Sequence, residues 1–241
     1  MIKVENLSLR FTNKSILEHI SFHIEQQLTI VGANGSGKSS LAKCIAGLYE
    51  YKGNIILDGN NATELSAKKR AQLLSYIPAK LEVYDAFITV EEFVLLGRFA
   101  HKKSLFEYAP QDKAIAKEML EYLGLSHLAK EQLQQLSSGQ QQLTLIAQAL
   151  TQQSQIIIFD EPTANLDPKN SRIIAKEIKK LQKKHTVVLI THDLHLAAFI
   201  GADVLFLADK GATLYKEEFF NDTMLAKLYG VPFSSLAVRY E

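Results

Sequence analysis

The chain has 241 residues, of which 47% are hydrophobic and 22% charged, with a net charge of +1 at neutral pH. That length suits one substantial α/β domain or two small ones, and the near-neutral balance argues against a dominant polyanion-binding face and a nucleic-acid partner. Cys44 is the only cysteine, so an internal disulfide is excluded and a reducing compartment fits. Met1 is followed by Ile2-Lys3-Val4-Glu5-Asn6 rather than an apolar signal core. No segment approaches the roughly 18 uninterrupted apolar residues of a spanning helix. The expectation is a soluble chain that would meet a membrane only through a partner.

Residues 2–9 and 20–25 mix apolar and polar positions like strands of a partly exposed sheet. Leu28-Thr29-Ile30-Val31 is a short buried-type strand running into Gly32-Ala33-Asn34-Gly35-Ser36-Gly37-Lys38-Ser39. A helix is expected from Ser39 to Leu48, with Gly47 near its end. Asn54 to Leu57 reads as a strand, Asp58-Gly59 as a turn, and Leu73 to Ile77 as a strand stopped by Pro78. From residue 89 to 150 the pattern becomes helical. Val90, Phe93, Val94 and Leu96 suit one helix, Ile115, Met119, Leu120 and Leu123 a second, and the glutamine-rich run from Gln140 to Leu150 a third. Gln155 to Asp160 returns to a nearly continuous apolar strand of the kind buried on both faces. Asn170 to Leu181 is an amphipathic helix introduced by Pro168. Strands at Thr186–Ile190 and Asp203–Leu207 follow, and after Tyr215 only short helical pieces such as Met224–Tyr229 are expected.

The first glycine loop fits the pattern GxxxxGK[ST] without a mismatch. Successive backbone N–H groups and the following helix start surround phosphate oxygens, and glycines admit a close approach that a Cβ obstructs. Gly32, Asn34, Gly35, Ser36 and Gly37 form the cradle, and Ser40 is counted with it. Lys38 reaches the β- and γ-phosphates of ATP, and Ser39 offers its hydroxyl to Mg²⁺. Asp160 and Glu161 end a buried strand, where α/β folds place their ligand chemistry. Asp160 is expected to hold Mg²⁺ through water and Glu161 to polarise the attacking water as a general base. His192, after the strand at Thr186–Ile190, is placed to contact the γ-phosphate. His192, Asp193 and His195 resemble a metal cluster on paper, but no remaining ligand set accompanies them.

A second hydroxyl-bearing glycine loop stands far downstream at Leu136-Ser137-Ser138-Gly139-Gln140, before a helix. One ATP needs one cradle, so the second suggests a surface that grips another molecule's phosphate. Two copies closing head-to-tail over shared nucleotides would use both.

Together these segments resemble the nucleotide-binding subunit of an ATP-binding-cassette (ABC) transporter over nearly the whole chain. Lys38 and Ser39 match the phosphate loop, Leu136 to Gln140 looks like the LSGGQ signature, and Ile156 to Glu161 resembles Walker B with its catalytic glutamate. Ala164-Asn165-Leu166-Asp167 resembles the loop passing between two sites, and His192 matches the switch histidine. The resemblance implies an α/β, P-loop NTPase core with an antiparallel β region and an inserted α-helical subdomain. It places the core at about 1–88 and 151–215, the helical subdomain at 89–150 and a tail at 216–241. It implies ATP and Mg²⁺ as ligands, with catalysis by Glu161 and His192 and a homodimer completed by Ser137, Ser138, Gly139, Gln140 and Asp167. Membrane permease subunits would hold the chain on the inner face of the cell membrane, beside an extracytoplasmic substrate-binding protein. Phe11 falls where the family stacks an aromatic on adenine, although an aromatic on a strand also serves as core.

Two positions depart from the family pattern. Ser138 replaces the first glycine of LSGGQ's pair, a small change. Ala79 stands where the Q-loop glutamine aligns, and an alanine offers no side-chain donor. Either water substitutes, hydrolysis slows, the alignment slips by a few residues, or the substitution is engineered. Val90 to Arg98, with the run to Leu128, and Leu228-Tyr229-Gly230-Val231 look like the subgroup serving iron-chelate, haem and cobalamin importers, with zinc or manganese importers next. Both phrases also read simply as helix packing. Tyr84, Phe87, Ile88 and Phe93 either line a groove for a permease helix or fill the insert's own core. The alternatives to a transport engine are a soluble ABC ATPase and, on the strength of Ala79, a weakly hydrolysing ATP clamp.

Overall fold

A computed structural model describes residues 1–82, 85, 87–102, 107–216, 219–230, 232 and 240. Strands β1 (Ile2–Phe11) and β2 (Lys14–Ile24) pair antiparallel, with Ile2 opposite Ile24 and Val4 opposite Phe22. Between Val4 and Leu7 the register shifts. The irregularity switches the inward positions of β1 from Ile2 and Val4 to Leu7 and Leu9, all fully buried, because an extra residue changes which side chains face the core. β4 (Lys52–Leu57) pairs along the other edge of β1 and the two-residue β5 (Asn60–Asn61) closes a four-stranded sheet in the order β2-β1-β4-β5. These strands exceed the expected 2–9 and 20–25: β1 runs on through exposed Arg10 and Phe11, and the added part of β2 sets buried Leu17 among mostly exposed polar residues.

The second sheet has the order β10-β9-β3-β8-β7-β6, built from β3 (Gln27–Gly32), β6 (Leu74–Ile77), β7 (Ile156–Asp160), β8 (Thr186–Ile190), β9 (Asp203–Ala208) and β10 (Gly211–Tyr215). All pairings are parallel except β10 with β9. Alternate side chains go to opposite faces. Ile156, Ile158, Val188 and Ile190 join the core shared with the first sheet, while Ile157, Phe159, Val187 and Leu189 join the core under the helices. Continuous apolar runs are what two covered faces require. Phe159, fully buried, is the largest of these; truncation to Ala costs about 3–5 kcal/mol.

Helix α1 (Lys38–Ile45) packs in the first core and stops short of the expected Leu48, with Gly47 at φ +71°. Residues 89–151 carry α3 (Val90–Leu95), α4 (Pro110–Tyr122) and α5 (Ser138–Thr151), joined in part by 3₁₀ turns. Thr89 and Glu92 form a capping box at the start of α3. Arg98, in the turn after α3, is buried; its Nε donates to Asp112 Oδ1 at 2.9 Å and its Nη1 donates to Thr151 O and Gln153 Oε1. The α6 helix (Pro168–Leu181) is capped by Asp167, three residues earlier than the apolar pattern suggests. The tail supplies α8 (Asp222–Tyr229), whose Tyr229 meets Phe206 edge-on at 5.4 Å. Val231 and Tyr84 lie outside the described residues.

Four elements escape the apolar pattern. Helix α2 (Ala67–Leu73) is capped by Ser66 but buries no residue, so its sequence shows no periodicity. Helix α7 (Leu194–Ile200) has seven residues, and β5 and the half-buried edge strand β10 are too short or too polar to stand out. Among the described residues no helix is long and apolar enough to cross a membrane.

Candidate nucleotide site

The loop after β3 needs glycine where its own neighbours crowd it. Gly32 has φ +147°, and a Cβ there would lie 2.3 Å from Leu207 O. Gly37, at φ +100°, turns the chain into α1. Asn34 and Gly35 are exposed, Ser36 and Ser40 half-buried. Ser36 Oγ is itself buried and without a hydrogen-bond partner, a group that a phosphate oxygen would satisfy. Lys38 is 6% exposed and its Nζ donates to Gly32 O at 3.0 Å and Ala33 O at 3.1 Å. Burial pulls its pKa below the ordinary lysine value, partly opposed by the carboxylates of Glu161 and Asp160. An anion in the loop would raise it again.

Parallel pairing of β7 with β8 sets Asp160 opposite Ile190, so the residues that follow each strand meet. Asp160 is 4% exposed. Its Oδ1 accepts the Ser39 hydroxyl at 2.8 Å and its Oδ2 accepts the Tyr76 hydroxyl at 2.6 Å. Glu161 turns out of the strand with φ +50°, unusual for a residue with a side chain, while its N–H donates to Ile190 O at 2.9 Å. This turn directs the carboxylate to His192: Glu161 Oε2 lies 2.8 Å from His192 Nδ1 and accepts the His192 backbone N–H at 3.3 Å. The Glu161 side chain is 16% exposed and His192 57%. Asp193 and His195 belong to different work, since Asp193 caps α7 by accepting from His195 N and Leu196 N.

The second loop is organised around its own helix. Ser137 caps α5, with Gln140 N donating to Ser137 Oγ at 3.4 Å and Ser137 N donating to Gln140 Oε1 at 2.9 Å. Ser137 and Ser138 are exposed and Gly139 is buried. A Cβ on Gly139 would sit 2.6 Å from the Asn170 side chain. Asn170 in turn donates through N and Nδ2 to the two carboxylate oxygens of Asp167. Asp167 is therefore brought to the second loop, and among the described residues no hydrogen bond joins Ser137–Gln140 to the loop of Lys38.

Ala79 is half-buried on a cleft of about 310 Å³ that Ser138, Gln142 and Leu166 also line. Phe11, at the end of β1, is 43% exposed and edge-on to Tyr49 at 5.1 Å, so it is a surface aromatic rather than core. Ile88 and Phe93 pack against the helical core, while Phe87 is exposed. Sequence reasoning missed Tyr76 and Asn170. Tyr76 lay within an expected strand and Asn170 within an expected helix, and neither pattern announces a long-range polar contact.

Ser39 and Asp160 offer only oxygen atoms, and among the described residues no group of three or more His, Cys, Asp or Glu could hold a metal alone. That sparse, hard donor set fits Mg²⁺ completed by substrate phosphates and water.

The family model described as ABC transporter matches residues 17–164. A Helicobacter pylori protein named "Probable iron chelatin transport ATP-binding protein" is 35% identical over 218 residues, covering 87% of this chain and 84% of its own length. The manganese transport system ATP-binding protein MntB of Halalkalibacterium halodurans is 31% identical over 236 residues, covering 95% and 92%. Among solved structures, the dimeric post-hydrolysis state of the ATP-binding cassette MJ0796, bound to ADP and Pi, matches with a TM-score of 0.79 and 27% identity, covering 91% of this chain and 100% of that one. A phosphate cradle, a paired Ser39 and Asp160, a Glu161–His192 contact and these likenesses converge: the chain belongs to the ABC transporter family as an ATP-binding cassette, an ATPase.

Proposed function

We propose that this cassette powers a membrane importer by closing head-to-tail on a second copy of itself around two ATP molecules. The phosphates rest on Gly32–Ser39 with Lys38 at the β/γ end, and Phe11 stacks on adenine. Ser39 and Asp160 hold Mg²⁺, which when bound offsets phosphate charge. Glu161 takes the proton of attacking water, and His192, held by Glu161, senses the γ-phosphate. Ser137, Ser138, Gly139, Gln140 and Asp167 of each copy face the nucleotide of the other.

The observation that carries this reading is the Ser137 hydroxyl: exposed, tied to its own helix by a single long contact of 3.4 Å, and unconnected to its own phosphate loop. In that contact Ser137 Oγ only accepts, so its O–H is left to donate to a phosphate oxygen. The α5 N-terminus behind it favours added negative charge. Hydrolysis removes the bridging charge and lets the copies part, which moves the permease subunits. The iron-chelatin name of one relative supports an iron-chelate cargo, within a subgroup that also takes haem or cobalamin from an extracytoplasmic binding protein; the manganese name of another makes a metal ion the competing cargo. Co-purification with a many-spanning membrane protein tests the coupling, and stimulation of ATPase activity by a chelate-loaded binding protein tests the cargo. Recovery of the chain without any membrane partner favours the uncoupled ATPase instead.

Ala79 supports a second reading, an ATP-dependent clamp that dimerises but turns over slowly. Single-turnover hydrolysis separates the two: Ala79→Gln accelerates a slow clamp and leaves a competent motor unchanged.

A further inference from the structure

Tyr76 stands on β6, half-buried, with its ring against the core between the two sheets. Its hydroxyl donates to Asp160 Oδ2 at 2.6 Å, while the Ser39 hydroxyl donates to Oδ1 at 2.8 Å. The carboxylate is thus held by one donor on each oxygen, from elements distant in sequence. Because Asp160 is 4% exposed, bulk water cannot replace a donor that is removed. Ser39 serves both the carboxylate, by donating its O–H, and, on the reading above, the cation, through its oxygen lone pairs. Tyr76 has no such second duty. Its bond persists and fixes the plane of the carboxylate, which keeps Oδ1 on the Ser39 side. Outer donors that orient a ligating carboxylate tune metal affinity in this way.

We propose that Tyr76 is a positioning residue for the divalent cation, its hydroxyl holding Asp160 so that Oδ1 and the Ser39 hydroxyl address one ion. The inference rests on the assignment of Ser39 and Asp160 to Mg²⁺. It is tested on the full chain with a fluorescent ATP analogue, by titrating Mg²⁺ from an EDTA baseline. Tyr76→Phe keeps the ring and removes only the oxygen. It is expected to raise the Mg²⁺ needed for half-maximal nucleotide binding by roughly tenfold and to leave binding in EDTA unchanged. In an Asp160→Asn background the same substitution is expected to add no further shift, because the hydroxyl acts through that carboxylate. Unchanged Mg²⁺ demand in Tyr76→Phe overturns the assignment. So does loss of binding in EDTA, which would make the hydroxyl a general prop of the pocket. If the wild-type chain itself shows no Mg²⁺-dependent binding, the Ser39 and Asp160 reading fails first and takes Tyr76 with it.

Discussion

At the carboxyl ends of β3, β7 and β8, polar side chains from remote parts of the chain bind one another. Ser39 and Tyr76 converge on Asp160, and His192 reaches Glu161. At the start of α5 Ser137 and Gln140 bond each other, Ser137 Oγ accepting from Gln140 N and Gln140 Oε1 accepting from Ser137 N. On the proposed reading the first region is a finished half-site, and the second is half of a site whose remainder a second copy supplies. The difference teaches that the first should respond to mutation in a single chain, whereas the second should respond only when two chains meet.

The sharpest way to break that comparison is in the finished half. Glu161→Gln should lower hydrolysis by about 10²–10⁴-fold while retaining ATP. Lys38→Ala should lose ATP itself, by about a hundredfold in affinity, since a charge-assisted bond to phosphate is worth about 1.5–3 kcal/mol. Equilibrium binding beside single-turnover chemistry checks both. Equal ATP retention in the two variants would merge roles that the geometry keeps apart.

The scaffold under the second region comes next. The Arg98–Asp112 pair is nearly fully buried, so Arg98→Met leaves an unpaired carboxylate and should cost about 3–5 kcal/mol in denaturant unfolding. Burial opposes ionisation of Asp112, but the bonds from Arg98 and the Ala109 N–H outweigh it and hold the carboxyl below its ordinary value. The sign follows from linkage: this contribution is present above the ordinary carboxylate pKa and fades as pH falls through the lower folded value. Asp112→Asn should therefore narrow the gap to wild type only in strong acid.

Smaller effects sharpen the comparison at the second loop. Gly139→Ala should push Asn170 off Asp167, at about 1–3 kcal/mol, read as weaker ATP-driven association with unchanged ATP binding by single chains. Ser137→Ala removes a cap and should cost about 1 kcal/mol of stability, again with single-chain ATP binding intact. Were either variant to weaken ATP binding by the isolated chain, the two regions would not be separable.

The parts legible in sequence are those whose chemistry is local. Gly32–Ser39, Asp160-Glu161 and Ser137–Gln140 are each contiguous, and their flanking strands and helices followed from burial on two faces or from capping residues. The hydroxyl of Tyr76 was invisible because its partner is 84 positions away and an aromatic within a strand looks like core. Arg98 illustrates the converse. It sits in a phrase that resembles one importer subgroup, and its side chain ties the α3 turn to α4 and α5. Helix α2 and strand β10 stayed hidden because neither buries an apolar stripe.

The most direct test of a pocket shared between chains is sedimentation velocity of Glu161→Gln in Mg²⁺ and ATP, with and without Ser137→Arg. The account expects a dimer for the single variant and a monomer that still binds ATP for the double variant. A monomer in the first case, or an undiminished dimer in the second, would contradict it.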